Sequence, residues 1–410
     1  MAEHYDILIV GGGLVGASLA SALAGAALTP RLRIGVVEAA PFGSGAQASF
    51  DERAIALAAG SRRILDAMGL WQAVAPAATP IERIHVSDRG RFGFTRLDRR
   101  EEGVPALGYV VLSRDLGRAL AARLHELDGV DLITPAELTA IDNGVSPARV
   151  GLVRDGAPAE VTAELVVAAD GARSKVREAL GIAVTEWDYH QTAVITNIRT
   201  AQPHRYVAYE RFTDQGPIAL LPMSEGRCSV VWTLPADQVE AVMALDDTAF
   251  LARLQERFGY RLGRFERVGR RDAYPLTLVR ARESIRPRLA LIGNAAHTLH
   301  PIAGQGFNLG LRDVAALAEV VCDARHAGRD IGAADVLQHY ADWRRADHRR
   351  VIAFTDGLTR LFTNPLTPVA LLRDAGMLAM DLCPPAKRLF GRLTMGRGGR
   401  LPRLARGVGL

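Results

Sequence analysis

The spacing of apolar residues changes period several times along this chain. "YDILIV" (residues 5–10) is a short run of mostly aliphatic residues, the pattern of a buried strand. "LVGASLASALAGAAL" (14–28) has the Ala/Leu composition of a packed helix, and "RIGVVE" (33–38) returns as a second strand. The strand-then-helix alternation recurs in "AELVVAADGARSKVREALG" (163–181) and in "RLALIGNAAHTLHPIAGQGFNLGLRDVAALAEVV" (288–321). Residues 182–275 change character. There "TAVITNIRT", "RYVAYERF", "GPIALLPM" and "CSVVWTLP" read as short strands separated by turn residues. They predict a mainly antiparallel sheet with "GPIALLPM" facing a pocket, and an insert of similar kind spans 80–112. In "TPVALLRDAGMLAMDLCPP" (367–385) Leu371, Leu372, Ala375, Leu378, Ala379 and Leu382 recur at helical spacing.

These periods predict an α/β chain. A Rossmann-like dinucleotide-binding domain is built from 1–79, 113–181 and 276–350. A β-rich antiparallel substrate domain takes 80–112 and 182–275, and a C-terminal helical segment with a basic tail takes 351–410. With 410 residues, 49% of them hydrophobic, the chain can bury a large core. Its three cysteines (Cys228, Cys322, Cys383) form no CxxC pair. A disulfide framework and a structural zinc site are therefore not expected, and a reducing cytosol is the natural compartment. The net charge is +5, yet residues 382–410 alone carry seven basic side chains and no acid, so the remainder sums to −2. Such a tail is either solvated or drawn to an anionic surface. The start of the chain carries no secretory signal pattern. Residues 7–28 hold no charge and by hydropathy alone resemble a membrane span with Gly12 and Gly16 on one face. Three consecutive glycines after a strand make a poor helix interior and a good turn, so a strand, a turn and a helix are expected instead.

That turn carries the first chemistry. Gly11, Gly13 and Gly16 have the G-x-G-x-x-G spacing, Gly12 lies between them, and Glu38 ends the following strand. The first glycine permits the tight turn, the second admits a pyrophosphate, and the third lets the helix pack on the strand. The helix N-terminus favours the anion, and the acid accepts hydrogen bonds from a ribose diol. Strand, glycines, helix, strand and acid in this order predict a bound dinucleotide; NAD and FAD share this pattern.

The amino-terminal G-x-G-x-x-G, the Asp170-Gly171 segment and the late "GNAAHTLHPIAGQGFNLGLRD" together resemble the flavoprotein aromatic hydroxylases, the class A FAD monooxygenases typified by para-hydroxybenzoate hydroxylase. Within that group, "SFDERAIALAAGSRRIL" (49–65) and "HPIAGQGFNLGLRD" (300–313) are most similar to the ubiquinone-biosynthesis hydroxylases. Gly293-Asn294, where most relatives have Gly-Asp, resembles the 2-octaprenyl-6-methoxyphenol hydroxylase branch, whereas His297 is what other branches carry; the ring position stays open. The resemblance implies FAD as cofactor, NAD(P)H as electron donor, and oxygen transfer from a C4a-hydroperoxyflavin to a polyprenylated phenol. No second G-x-G-x-x-G serves NAD(P)H, as in the class it resembles, so its binding is transient or absent. Secondary-metabolite hydroxylases of the same fold and a non-catalytic FAD-binding subunit are the alternative readings.

The resemblance also assigns residues. It implies that Asn294 holds the ribityl chain and that Pro301 to Gly306 pass beside the isoalloxazine. The helix N-terminus then faces the ring's anionic edge, where its dipole is favourable. Gly304 and Gly306 lack Cβ atoms that would bar the ring. Gln305, Asn308 and Asp170 belong to the same cofactor-binding motifs, and family position carries Arg53 and Arg114 to the flavin or its phosphates. His297 and His300 flank the loop, where a base for the phenol's proton is useful, although a histidine in a tight loop is commonly structural. No metal site and no nucleic acid partner are expected. An apolar helix beside a basic tail can lie on an anionic membrane, which places the chain in the cytoplasm or on the membrane's inner face. A biosynthetic complex or a homo-oligomer completes the expected partners.

Overall fold

In the first strand, Glu3–Val10, successive side chains serve two different cores. Ile7 and Ile9 point into one buried cluster, Leu8 and Val10 into another. A strand with apolar side chains on both faces belongs in the middle of a parallel sheet covered on each side. The computed structural model, which describes residues 3–41, 51–298, 304–364 and 366–410, shows this arrangement. Leu289–Leu291, Ala157–Ala168, Glu3–Val10, Ile34–Val37 and Val130–Ile133 lie side by side and parallel in that order. One face carries the helices Leu14–Ala24, Ser113–Glu126 and Gln305–His326. The other is covered by the antiparallel strands Ala136–Asp142 and Ala148–Arg154, continuing into Ala157–Ala168. Residues 7–28 thus divide into strand, turn and helix, and no helix among the described residues is long and apolar enough to cross a membrane.

The second sheet has nine strands. It runs from His297–Thr298 through Asp272–Ala281, Val184–Thr200, Arg227–Pro235, Ile218–Pro222 and Val207–Phe212 to Arg83–Asp88 and Phe94–Asp98, with Phe265–Val268 paired to Val184–Thr200. Its pairs are antiparallel except Val207–Phe212 with Arg83–Asp88. Strand Asp272–Ala281 runs unbroken through the 275/276 division drawn from the sequence. Within the 80–112 insert, Gly108–Leu112 pairs instead with Ala54–Ala58 and Thr79–Ile81 in a small third sheet. The period of two splits the nine-stranded sheet into two faces. Val194, Ile218, Leu220, Val230 and Trp232 pack against helix Asp247–Phe258. Ile195, Ala219, Leu221 and Val231 line a chamber on the opposite side. Only alternate residues of "GPIALLPM" therefore face the pocket.

Three helices, Ala334–Thr363, Thr367–Leu382 and Pro384–Thr394, roof that chamber. Phe362 stacks on Phe212 at 3.5 Å between centroids, and Thr95 Oγ1 donates to the Met377 carbonyl at 2.7 Å. Helix Thr367–Leu382 is inverted relative to ordinary amphipathic packing. Its buried residues are Ala370, Arg373, Asp374 and Met377, while Leu371, Leu372 and Leu382 are exposed. Arg373 turns inward because it pairs with Asp88 and donates to the Leu361 and Phe362 carbonyls. The basic tail docks on the first domain: Leu404 and Ala405 are buried, Arg403 pairs with Glu319 and Asp323, and Arg400 lies over Trp343. Part of its charge is thus satisfied internally.

Candidate active site

The glycine turn is held from both sides. Gly11 has φ +104°, and a Cβ there would sit 2.6 Å from the Ala169 carbonyl; one on Gly16 would sit 1.9 Å from Gly11 O. Gly13 is the N-cap of helix Leu14–Ala24 and offers no side-chain acceptor to its first N–H groups, which leaves that end open to an anion. Glu38 accepts from Gly12 N at 2.8 Å and Ala40 N at 3.2 Å, so its carboxylate stands beside the turn, where a ribose diol would meet it. Asp170 lies against Gly11. Its Oδ2 accepts from Val176 N at 3.1 Å, but Oδ1 is buried with no partner, and burial raises its pKa above the ordinary carboxylate value. An orphaned buried acceptor beside a phosphate turn is what the hydroxyls of a dinucleotide would satisfy. The residues therefore fit FAD.

The second loop converges on the same place. Gly293 has φ +57°, and a Cβ there would meet Val15 of the first helix at 3.0 Å. Asn294 is exposed on the chamber wall. Arg177 ties the two segments together, donating to the Ala295 carbonyl at 2.7 Å and to Asn294 O at 3.4 Å. This clamp went unread in the sequence, where Arg177 looked like an ordinary helix position. Gly304, left-handed at φ +59°, opens helix Gln305–His326, and Gln305 and Gly306 line the chamber with it. The Asn308 amide is fully engaged: Oδ1 accepts from Ala58 N (2.8 Å) and Ser61 Oγ (2.6 Å), while Nδ2 donates to Ala56 O (2.8 Å) and Gly304 O (2.6 Å). It braces the loop and leaves no polar atom for a ligand. Pro301 and His300 lie outside the described residues. Gly306 offers a clean probe, because a Cβ there meets nothing within 4 Å and alanine favours the helix. Gly306→Ala is expected to leave the melting temperature unlowered while weakening FAD about tenfold, about 1.4 kcal/mol, if the ring lies against this turn; titration of apoprotein with FAD reads this directly.

The chamber measures about 960 Å³, at the upper end of ordinary ligand pockets of about 300–1,000 Å³. Its lining brings together Gly13, Asn294 and Gly304 from the glycine loops and Leu361, Leu372 and Met380 from the roofing helices. Arg53 reaches it, paired with Asp51 at 2.5 Å and lying over Tyr274. Arg114 does not: its guanidinium pairs with Glu52 and Asp115 away from the described wall. Sequence reading also missed Glu210, the one carboxylate among the described lining residues. Its signal was an acid within the predicted strand "RYVAYERF", directly after the apolar Val207, Ala208 and Tyr209.

His297 is buried behind the loop, with Nε2 2.8 Å from Asp313 Oδ2, and is not among the described lining residues. Asp313 accepts further from Gly293 N (3.2 Å), Arg344 Nε (2.7 Å) and His348 Nε2 (2.7 Å). Burial opposes its charge, yet His348, Arg344 and His297 hold its pKa well below the usual carboxylate range. His297, Asp313 and His348 are close enough together to suggest a metal site, but the four hydrogen bonds occupy the carboxylate and a guanidinium stands against it. The cluster holds the Gly293 turn to helix Ala334–Thr363.

A parallel sheet with a glycine turn, a second loop closing on it and a chamber beneath an antiparallel sheet define a flavin-dependent hydroxylase architecture, and this chain belongs to the FAD-binding domain family, whose profile matches residues 4–355. It is 43% identical over 99% of its length to the ubiquinone hydroxylase UbiL of Rhodospirillum rubrum, covering 93% of that protein. It is 34% identical to the 3-demethoxyubiquinol 3-hydroxylase of Escherichia coli, over 96% of this chain and 99% of that one. The p-nitrophenol 4-monooxygenase PnpA of Pseudomonas putida shares the fold, with a TM-score of 0.80 over 98% of this chain and 100% of that one at 21% identity. The chain is an FAD-dependent monooxygenase.

Proposed function

We propose that this protein hydroxylates the aromatic ring of a polyprenylated phenol in ubiquinone biosynthesis, using dioxygen and NAD(P)H. The observation that carries this reading is a single apolar chamber lined both by the cofactor loops and by a leucine-bearing helical roof. Bound FAD would supply electron transfer from the nicotinamide and activation of dioxygen. The protein's part is to hold the ring beneath the loops, exclude water with the apolar sheet wall, and accept a long hydrocarbon chain toward the rim. The names of the R. rubrum and E. coli relatives agree in placing such proteins among ubiquinone hydroxylases. Purified protein loaded with FAD should oxidise NADH or NADPH faster when 2-farnesylphenol is added and yield a product one oxygen heavier. A non-catalytic flavoprotein subunit would bind FAD without either response.

The rim also supports peripheral membrane contact. Leu371, Leu372, Leu382, Leu389 and Leu393 are exposed on two consecutive helices, beside exposed Arg388 and Arg392. Apolar side chains entering lipid with arginines at headgroup level is the arrangement of an interfacial helix. Replacing Leu371, Leu382 and Leu389 together by Asp is expected to weaken sedimentation with phosphatidylglycerol vesicles by at least about 100-fold, given that burying a leucine contributes about 1.5–3 kcal/mol. FAD content should not change.

A further inference from the structure

Glu210 stands in the middle of the chamber's sheet wall. Pairing across the sheet puts Thr95, Val86, Glu210, Ala219, Val231 and Ile195 in one row, each lining the cavity. The neighbouring row is Leu97, Ile84, Ala208 and Leu221. Glu210 is thus the one ionisable group in two rows of otherwise apolar or hydroxyl side chains. Its carboxylate forms no hydrogen bond or ion pair with any described residue, its backbone alone being paired in the sheet. The wall's other charged groups are already matched: Arg53 pairs with Asp51, and Arg373 with Asp88. A structural carboxylate in such a wall would be expected to have a partner, because an unpaired charge in an apolar setting is costly. An unpaired one facing a ligand chamber is available to the ligand.

We propose that Glu210 is the catalytic base that accepts the hydrogen bond of the substrate's phenolic hydroxyl and removes its proton. In this step the phenol O–H bond breaks, the proton passes to the Glu210 carboxylate, and the electron pair stays on the oxygen and spreads into the ring. The ring carbon so enriched is the one that accepts the oxygen atom. The proposal rests on the reading of the substrate as a phenol.

The chemistry of the wall suits the task. Burial pushes the Glu210 carboxyl from its ordinary 4.5 up to about 7. A phenol ionises near pH 10, so the mismatch between base and acid shrinks to about three pK units from more than five. No charged group acts on the carboxyl strongly enough to oppose that rise. His297, buried against Asp313, has no comparable access.

The test uses the full-length, FAD-loaded protein with 2-farnesylphenol, comparing wild type, Glu210→Gln and Glu210→Asp. Hydroxylated product and peroxide are measured from about pH 5.5 to about pH 9. The wild-type hydroxylation rate should rise along a limb with an apparent pKa near 7. In Glu210→Gln it should fall about 100-fold at pH 7, within the usual range for loss of a general base. The limb should vanish, and the residual rate should climb about tenfold per pH unit as the phenol ionises unaided. Glu210→Asp should recover the limb and part of the rate. FAD affinity and melting temperature should hold in both variants, which separates loss of a base from loss of structure. Hydroxylation by Glu210→Gln at the wild-type rate, with the wild-type pH profile, would overturn the proposal alone. Failure of the wild type to hydroxylate any prenylphenol would overturn the functional reading and this proposal with it.

Discussion

Gly16→Ala is expected to yield a protein that no longer retains FAD. The added Cβ would lie 1.9 Å from Gly11 O, about an ångström inside the closest contact such atoms make. Gly11 cannot retreat. Its N–H is bonded to Val37 O at 2.8 Å, and on its other side Ala169 and Asp170 stand within 2.7 Å of where its own Cβ would be. The helix must therefore back away from the turn, and the N–H groups that would receive a pyrophosphate move with it. Overpacking of this kind costs about 1–3 kcal/mol in stability. An ångström of misplacement at an anion site built from backbone N–H groups should weaken FAD by at least about 100-fold, or about 2.7 kcal/mol. Flavin fluorescence quenching on titration of the apoprotein measures the affinity, and thermal unfolding measures the rest. An alanine variant that stays yellow through gel filtration would show that the turn does not bind the cofactor as described.

Asp313→Ala, in the helix Gln305–His326 behind the second loop, is expected to destabilise the protein by about 3–5 kcal/mol, because it strands buried partners that have no alternative. Arg344 would keep Asp347 at 2.6 Å, but His297, His348 and Gly293 N would each lose their acceptor. The Gly293 turn would loosen, so FAD affinity should fall as well. The same cluster sets an acid limit on the native protein. Burial lowers the His348 pKa from 6.5 to about 4, so the folded state holds the ring neutral where the unfolded chain would protonate it. Stability is then lost as pH falls from about 6.5 toward about 4, by about 3 kcal/mol if the whole difference is expressed. Asp313, whose folded pKa is depressed, adds a further loss only below the ordinary aspartate value. Melting temperatures should fall steeply across this interval in the wild type and less steeply in His348→Asn, which keeps an Nδ2 donor and cannot gain the charge.

Much of this architecture was legible from residue order. The glycine spacing, the β-branched strands and the late glycine pair each impose a local backbone requirement that few other sequences meet. Period alone also marked the antiparallel sheet and the helix Thr367–Leu382. Period left the direction of that helix open between the protein and a membrane. Leu371, Leu372 and Leu382 are exposed, because the Arg373–Asp88 pair and Met377 claim the interior. A pairing between residues 285 positions apart leaves no trace in a helical period. The network around Asp313 was hidden for the same reason, as its four donors come from two other stretches of chain, residues 293–297 and 344–348. Arg114 was placed by motif position, and its side chain follows Glu52 instead. Glu210 left only the trace of an acid within a strand, because strand register alone shows which way that acid points.

We propose that two glycine-bearing loops, about 290 positions apart in the chain, close on one FAD beside a chamber that holds a prenylated phenol. Isotopic labelling tests it most directly. FAD-loaded protein is given NADH, 2-farnesylphenol and isotopically heavy dioxygen in ordinary water, and the product is weighed by mass spectrometry. The expected product is a farnesyl diphenol in which the new oxygen carries the heavy label, formed only when FAD is present. A product whose new oxygen comes from water, or NADH oxidation that yields peroxide alone with no hydroxylated ring, would contradict it.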